Sequence, residues 1–220
     1  MSIRNVLLDE ALAGYIQAHS TGPDEVQRDL IEATAALGGP SVMQISPAQG
    51  AFMTVLTTVL QPGFAVELGT FTGYSALAVA KALPPGGRLM CCDISEEWTA
   101  IAREHWERAG VSDRVDLRIG PAMDTLRSLP SEPAVDLAFI DADKSSYIAY
   151  YEELVPRLSE RGAILVDNAL WDGHVANPDR TDSTTEELRA FNAHVIADER
   201  VLVALLPVGD GLSMITQRPA

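Results

Sequence analysis

Apolar residues recur at helical spacing through the first sixty positions. Between Ile3 and Ala18 they fall at Val6, Leu7, Ala11, Leu12, Tyr15 and Ile16. That spacing predicts a helix, which Ser20-Thr21-Gly22-Pro23 ends. Asp24–Leu37 predicts a second helix, acidic at its start and stopped by Gly38-Gly39-Pro40. Ala48–Leu60 predicts a third, with Ser46 suited to accept an amide hydrogen bond as N-cap and Pro47 suited to the first helical position.

From Phe64 the period changes. Short apolar runs at Phe64–Leu68, Arg88–Cys92, Val115–Ile119, Val135–Ile140 and Ala163–Val166 alternate with helical stretches at Tyr74–Ala82, Glu96–Ala109, Ala122–Leu129 and Ser145–Leu158. Runs that are apolar on both faces belong in a parallel sheet covered by helices. The alternation predicts right-handed βαβ units and a doubly wound α/β sheet. Asp172–Thr185 is polar and predicts a loop, followed by a helix at Glu186–Ala197. Val201–Leu206 and Leu212–Thr216 flank a Gly-rich turn and predict an antiparallel hairpin at the end of the sheet. The expected organisation is one domain over 1–220, with a helical N-terminal segment at 1–62 and a Rossmann-like core at 63–220.

Charge narrows the possible partners. The chain has 16 basic and 31 acidic residues, a net charge of −15, so a nucleic-acid partner is not expected. At 220 residues, 47% of them hydrophobic, the composition is that of a globular protein rather than a disordered one. No apolar stretch approaches the roughly 20 residues that span a bilayer, and the first ten residues lack a secretory pattern. The only cysteines, Cys91 and Cys92, are adjacent, a poor geometry for a disulfide. No membrane association and a reducing, cytoplasmic location are therefore expected.

Ligands of open α/β sheets bind beyond the carboxyl ends of the strands. Four of the first five strands end in carboxylates: Glu67, Asp93, Asp141 with Asp143, and Asp167 beside Asn168. Each alone could be a helix cap; together they suggest a site. The first turn, Glu67-Leu68-Gly69-Thr70-Phe71-Thr72-Gly73, is neither G-x-G-x-x-G nor a Walker loop, and Glu67 disfavours a pyrophosphate while welcoming a cation. Asp93 lies where an acidic residue holds ribose hydroxyls. A ribose-bearing cation without phosphate fits S-adenosylmethionine. Asp141, Asp167 and Asn168 form an all-oxygen set suited to a hard cation such as Mg²⁺ or Ca²⁺. The four histidines show no ligand spacing, and His174 alone falls near the site.

At these residues, and at Gly120-Pro121-Ala122, Asp141-Ala142-Asp143-Lys144, Asp167-Asn168-Ala169-Leu170-Trp171 and Pro207-Val208-Gly209-Asp210-Gly211, the sequence resembles the cation-dependent O-methyltransferases of the caffeoyl-CoA and catechol type. The resemblance runs from about Met43 to Thr216. It implies that Glu67, Gly69, Thr70 and Ser75 line the methionine half of the donor, that Asp93 holds the ribose, that Ala122 lies against the adenine, and that Ile45 and Asp143 add contacts. It further implies a divalent metal (Mg²⁺, with Ca²⁺ or Mn²⁺ as alternatives) on Asp141, Asp167 and Asn168, with Lys144 as general base. A homodimer through the N-terminal helices is implied as well.

A phenol with a pKa near 10 needs such activation at neutral pH. The expected activity is methyl transfer to a hydroxyl of a small catechol-like or hydroxylated aromatic acceptor bordered by Trp171 and Asp172, with Tyr147 and Tyr150 as further stacking candidates. Two departures weigh against a CoA thioester: no lysine precedes Lys81, and Asp172 stands where the plant enzymes carry Asn. The competing readings are a nicotinamide-dependent oxidoreductase on a similar sheet and a non-catalytic S-adenosylmethionine-binding protein.

Overall fold

The computed structural model describes residues 9–131 and 134–219. Helix α1 spans Glu10–Ala18, and the Asp9 carboxylate accepts the Leu12 amide at its start. The part of the expected helix that carries Val6 and Leu7 lies outside the described residues. Helix α2, Glu25–Ala35, opens with a capping box between Asp24 and Gln27. Helix α3, Pro47–Leu60, is capped by Ser46 as expected. A 3₁₀ turn at Gly39–Met43, which the periodicity does not announce, joins the last two.

The sheet strands are β1 (Phe64–Leu68), β2 (Arg88–Asp93), β3 (Val115–Ile119), β4 (Val135–Ile140), β5 (Leu158–Val166), β6 (Val201–Leu206) and β7 (Leu212–Gln217). Helices α4 (Tyr74–Ala82), α5 (Glu96–Arg108), α6 (Ala122–Ser128), α7 (Tyr147–Leu154) and α8 (Ser183–Ala197) connect them. Three elements of the sheet and its connecting helices depart from the expectation by more than two residues. Strand β5 starts at Leu158, because a register shift after Val135 lets polar Ser159–Arg161 run beside β4. Helix α7 is shorter than Ser145–Leu158, with 3₁₀ turns on both sides and Pro156 lacking a donor where the helix would continue. Helix α8 begins inside the expected loop, at Ser183, where Asp182 accepts the Thr185 amide.

The strand order is β3-β2-β1-β4-β5-β7-β6, with β7 antiparallel to both its neighbours and the rest parallel. This is the doubly wound, mostly parallel sheet that the alternation predicts. Alternate residues feed two cores. Val66, Leu68, Met90, Cys92, Ala138 and Ile140 pack with α6, α7 and α8; Ala65, Leu89, Cys91, Leu137 and Phe139 pack with α2 to α5. The adjacent cysteines thus serve opposite cores as free thiols.

The N-terminal helices are tied to the second core. Leu30 and Met53 are fully buried, each contributing about 1.5–3 kcal/mol of apolar transfer. The Thr34 hydroxyl donates to Thr72 Oγ1 at 2.8 Å, and Lys81 and Arg108 pair with Asp24 and Asp29 of the α2 region. Among the described residues no helix is long and apolar enough to cross a membrane.

Parallel register aligns the strand ends. Leu68 pairs with Cys92 and with Ile140, and Ile140 pairs with Val166. The next residues continue the pairing: Gly69 donates to Cys92 O at 2.9 Å, Asp141 to Leu68 O at 2.8 Å and Asp167 to Ile140 O at 3.0 Å. Gly69 has φ +84°, and a Cβ there would overlap the Asp141 carbonyl. Gly69→Ala is therefore expected to cost at least about 3 kcal/mol in urea unfolding, from strain plus displacement of the β4 end. Unchanged stability would show that this close approach is dispensable.

Candidate active site

Strand order places the chemistry along one edge. From β3 to the β6–β7 turn the rim reads Gly120, Asp93, Gly69, Asp141, Asp167, Asp210, and the order reverses between β1 and β4. A cavity of about 1200 Å³ opens there. That exceeds the ~300–1,000 Å³ typical of a pocket for one small ligand. Ile45, Gly69, Thr70, Ser75, Asp93, Ala122, Asp141, Asp143, Lys144, Asp167, Asn168, Trp171 and Asp172, all singled out in the sequence, border it.

Glu67 is the exception. It sits within β1, 1% exposed, on the face of the second core, and does not border the cavity. Burial pushes its carboxyl up to about 8. The Ser75 and Thr70 hydroxyls offset only part of this, and neither oxygen closes a well-formed hydrogen bond. An orphaned acid behind the first turn is a site waiting for positive charge.

Asp141 and Asp167 end neighbouring strands; Asp167 is buried and Asp141 partly buried. Burial raises the Asp141 carboxyl, and the Lys144 ammonium partly offsets it. Burial, then the Asp141 charge, push Asp167 up to about 7. Two donors meet them: Lys144 Nζ lies 3.0 Å from Asp141 Oδ1, and Gln49 Nε2 lies 3.0 Å from Asp167 Oδ1. Lys144 also lies 2.8 Å from the Tyr147 hydroxyl, which is buried and does not border the cavity. Asn168 has φ +59°, and its Nδ2 faces Asp210 Oδ2 at 3.5 Å, which leaves Oδ1 for another partner. Among the described residues no three His, Cys, Asp or Glu side chains gather as a metal-binding group. The set here is two carboxylates and an amide.

Asp93 shapes the first turn. Its Oδ2 accepts the Thr70 and Phe71 amides at 2.9 and 2.7 Å, and its Oδ1 accepts Ser95 N at 2.8 Å. Ile94, 78% exposed, borders the cavity beside it. Burial acts to raise Asp143, but hydrogen bonds from Ser146 and Tyr150 win and hold it below the usual range. Tyr150 O–H donates to Asp143 at 2.7 Å, so this ring borders the cavity with its polar end occupied.

The far side is built by a strained turn. Trp171 and Asp172 have φ +47° and +50°, followed by Gly173 at +78°. Asp210 Oδ1 accepts the Asp172 amide at 2.5 Å. Arg189 of α8 donates to the carbonyls of His174, Val175 and Arg180, and Asn192 donates to Ala169 O. His174 contacts Arg180 and does not border the cavity.

Sequence reasoning missed Gln49, Ile94 and Arg189, and took Asp210 only as part of a motif. Gln49 lies one residue past the predicted N-cap region of α3, and its 118-residue separation from Asp167 left no local signal. Ile94 carried a usable one: an apolar residue directly after an acidic strand end.

The fold and rim define a nucleoside-binding α/β enzyme rather than a phosphate-cradling one. Residues 17–218 match the family model described as O-methyltransferase. Caffeoyl-CoA O-methyltransferase of Eucalyptus gunnii is 34% identical over 96% of this chain and 89% of its own. Catechol O-methyltransferase domain-containing protein 1 of Mus musculus is 39% identical over 80% of this chain and 68% of its own. Among solved structures, the SAH-bound methyltransferase PaMTH1 of Podospora anserina superposes with a TM-score of 0.89 at 28% identity over 99% and 100% of the two chains. The Bacillus cereus O-methyltransferase in complex with SAH gives 0.85 at 30% identity over 94% and 97%. The chain belongs to the O-methyltransferase family and is an S-adenosylmethionine-dependent enzyme of it. The oxidoreductase reading is set aside.

Glu67 generates a pH prediction. Its carboxyl rises from 4.5 to about 8 on folding. Across that window the folded protein binds more protons than the unfolded chain, so stability falls as pH rises. Glu67→Gln is expected to flatten the fall in Tm between pH 5 and 8 in calorimetry of the ligand-free protein. An unaltered slope would show that Glu67 ionises there without penalty.

Proposed function

We propose that this enzyme methylates one hydroxyl of a small vicinal diphenol, or a related hydroxylated aromatic, using a divalent cation held by Asp141, Asp167 and Asn168. The observation that carries this reading is the pair of carboxylates at the ends of β4 and β5, Asp167 buried and Asp141 partly so, whose mutual repulsion is met by the Asn168 backbone amide, Gln49 and Lys144. Their hard oxygen donors suit Mg²⁺, with Mn²⁺ or Ca²⁺ as substitutes. The residues present therefore fit a cation.

When bound, the cation supplies a Lewis acid that lowers the pKa of a coordinated hydroxyl, and the sulfonium supplies the methyl group. In this reading Gly69, Thr70 and Ser75 border the methionine part of the donor, Asp93 the ribose, Ala122 the adenine, and Ile45 and Asp143 the flanks. Glu67 supports the positive donor from behind β1. Lys144, as the neutral amine, would take the hydroxyl proton at Nζ, with Tyr147 and Asp141 fixing its position. Trp171 and Asp172 border the acceptor. Holding nucleophile and methyl in line contributes roughly 7–11 kcal/mol.

The reading also takes residues 1–62 and 63–220 as parts of one methyltransferase domain in a cytoplasmic homodimer. Exposed Tyr15, Val55 and Val59 on α1 and α3 support a dimer face. Sedimentation at micromolar concentration checks it, a monomer overturning the dimer.

Labelled methyl transfer to unsubstituted 1,2-dihydroxybenzene is expected with Mg²⁺ and to disappear with EDTA. Asp141→Ala is expected to lower kcat at least about 100-fold and to abolish Mn²⁺ binding in calorimetry. Full activity in EDTA, or full Mn²⁺ affinity in the variant, would remove the metal assignment.

A further inference from the structure

Gln49 reaches the acid pair from outside the sheet. It is the third residue of α3, 1% exposed, and its backbone amide donates to the Ser46 hydroxyl at 3.2 Å. Its side chain crosses to the end of β5, where Nε2 donates to Asp167 Oδ1 at 3.0 Å. A buried amide is costly unless it is used. The amide has one sense here: turned over, it would set Oε1 against the carboxylate oxygen, acceptor against acceptor.

Oε1 faces the β6–β7 turn. Gly209 has φ +57°, and a Cβ there would overlap Gln49 Oε1. The turn is fastened to the chain that follows Asn168: Ala169 N donates to Gly211 O at 2.9 Å and Leu170 N to Asp210 O at 3.0 Å. Gln49 is therefore wedged between Asp167 and a turn that is bonded to the segment carrying Asn168.

Asp141 shows a matching pattern, since Lys144 Nζ donates to its Oδ1 at 3.0 Å. Each acid gives one oxygen to a side-chain donor. A carboxylate engaged in this way ligates most readily through its other oxygen alone. With the Asn168 side-chain oxygen, the set becomes three single-oxygen donors, half of an octahedral shell. Mg²⁺ demands such a shell, whereas Ca²⁺ takes roughly 6–8 oxygens, often from carboxylates that chelate through both atoms.

We propose that Gln49 is a positioning residue for the metal pair: it holds Asp167 to single-oxygen ligation and so favours Mg²⁺ and Mn²⁺ over Ca²⁺, with Gly209 providing the clearance that keeps its amide in place. This rests on the metal-assisted reading above and adds what sets the choice of ion. Gln49 touches neither reactant in this role and acts only through Asp167.

The test reads binding rather than turnover. The full chain, without donor or acceptor, is titrated with Mn²⁺, the free ion being followed by its electron paramagnetic resonance signal, and bound Mn²⁺ is then displaced by Mg²⁺ or Ca²⁺. Gln49→Met keeps the length of the side chain and removes the donor. It is expected to weaken Mn²⁺ binding on the order of 10–100-fold. It is also expected to bring the Mg²⁺ and Ca²⁺ displacement constants closer by at least about threefold, because a released Asp167 can chelate the larger ion through both oxygens. Gly209→Ala leaves the glutamine but displaces its amide, and is expected to move both quantities in the same direction. In the double variant the combined effect is expected to fall short of the sum, since both changes act through one hydrogen bond.

Loss of packing alone would weaken both ions alike. Unchanged Mn²⁺ affinity in Gln49→Met, a weaker affinity with the Mg²⁺-to-Ca²⁺ ratio unmoved, full additivity in the double variant, or a wild-type protein that takes Ca²⁺ as readily as Mg²⁺ overturns the proposal while leaving the metal-assisted reading intact. Should Gln49→Met not fold, Gly209→Ala is read by the same affinity and ratio. Absence of Mn²⁺ binding to the wild-type protein overturns the metal-assisted reading and this inference with it.

Discussion

Two neighbouring carboxylates of like charge do not stay together unless something rigid holds them. Here the holder is the backbone. Asp141 and Asp167 follow the last residues of β4 and β5, and their own amides extend the ladder to Leu68 O and Ile140 O. A pair carried on loops would relax apart. A pair fixed by parallel register cannot, because moving either carboxylate breaks strand pairing inside a packed interior. The result is a local cost in stability: burial, then the Asp141 charge, push the Asp167 carboxyl up to about 7. Costs of this kind mark places where function overrides the general preference for paired charges.

The N-terminal helices take part in that arrangement. Gln49 of α3 reaches Asp167, and it packs so closely on Gly209 that a Cβ there would overlap its Oε1. One amide therefore joins the helical segment, the end of β5 and the β6–β7 turn. Ile45 and Ser46, just before α3, border the same cavity. Because α2 is held to α4 and α5 by the Thr34–Thr72 bond and two ion pairs, the cavity wall inherits the stability of the second core. Residues 39–62 act as a wall of the site, and the division at 62/63 marks a change of sequence period more than a boundary in the packing.

Sequence pattern made the sheet legible because each central strand is apolar on both faces, so run length alone located β1 to β4 within a residue. It failed at β5, where Ser159-Glu160-Arg161-Gly162 fall within the register shift between the Leu158 and Ala163 pairings and look like a turn. It failed at the start of α8 for a different reason. Asp182 followed by Ser183-Thr184-Thr185 is an N-cap sequence, but the polar residues around it hid the helix. The site was legible where acids end strands. It was misread at Glu67, which lies one position inside the strand, so the alternation of β1 turns it to the second core rather than the cavity. Partners brought in from distant segments, Gln49 and Arg189 above all, had no local signature, since their meaning depends on which carbonyl or carboxylate the fold places opposite them.

The same acidity has a kinetic consequence. In the proposed reading, a rim rich in carboxylates favours a donor that carries a sulfonium over the thioether that remains after transfer. In that reading, loss of the sulfonium charge weakens the attraction to the wall as the product must leave, while the ammonium that both species carry stays attracted. In the proposed reading Asp93 and the first turn it holds lie against groups that do not change in the reaction, so they would hold donor and product alike. In that reading, binding that is uniform across the reaction comes from the first turn, and binding that discriminates comes from the carboxylates bordering the cavity.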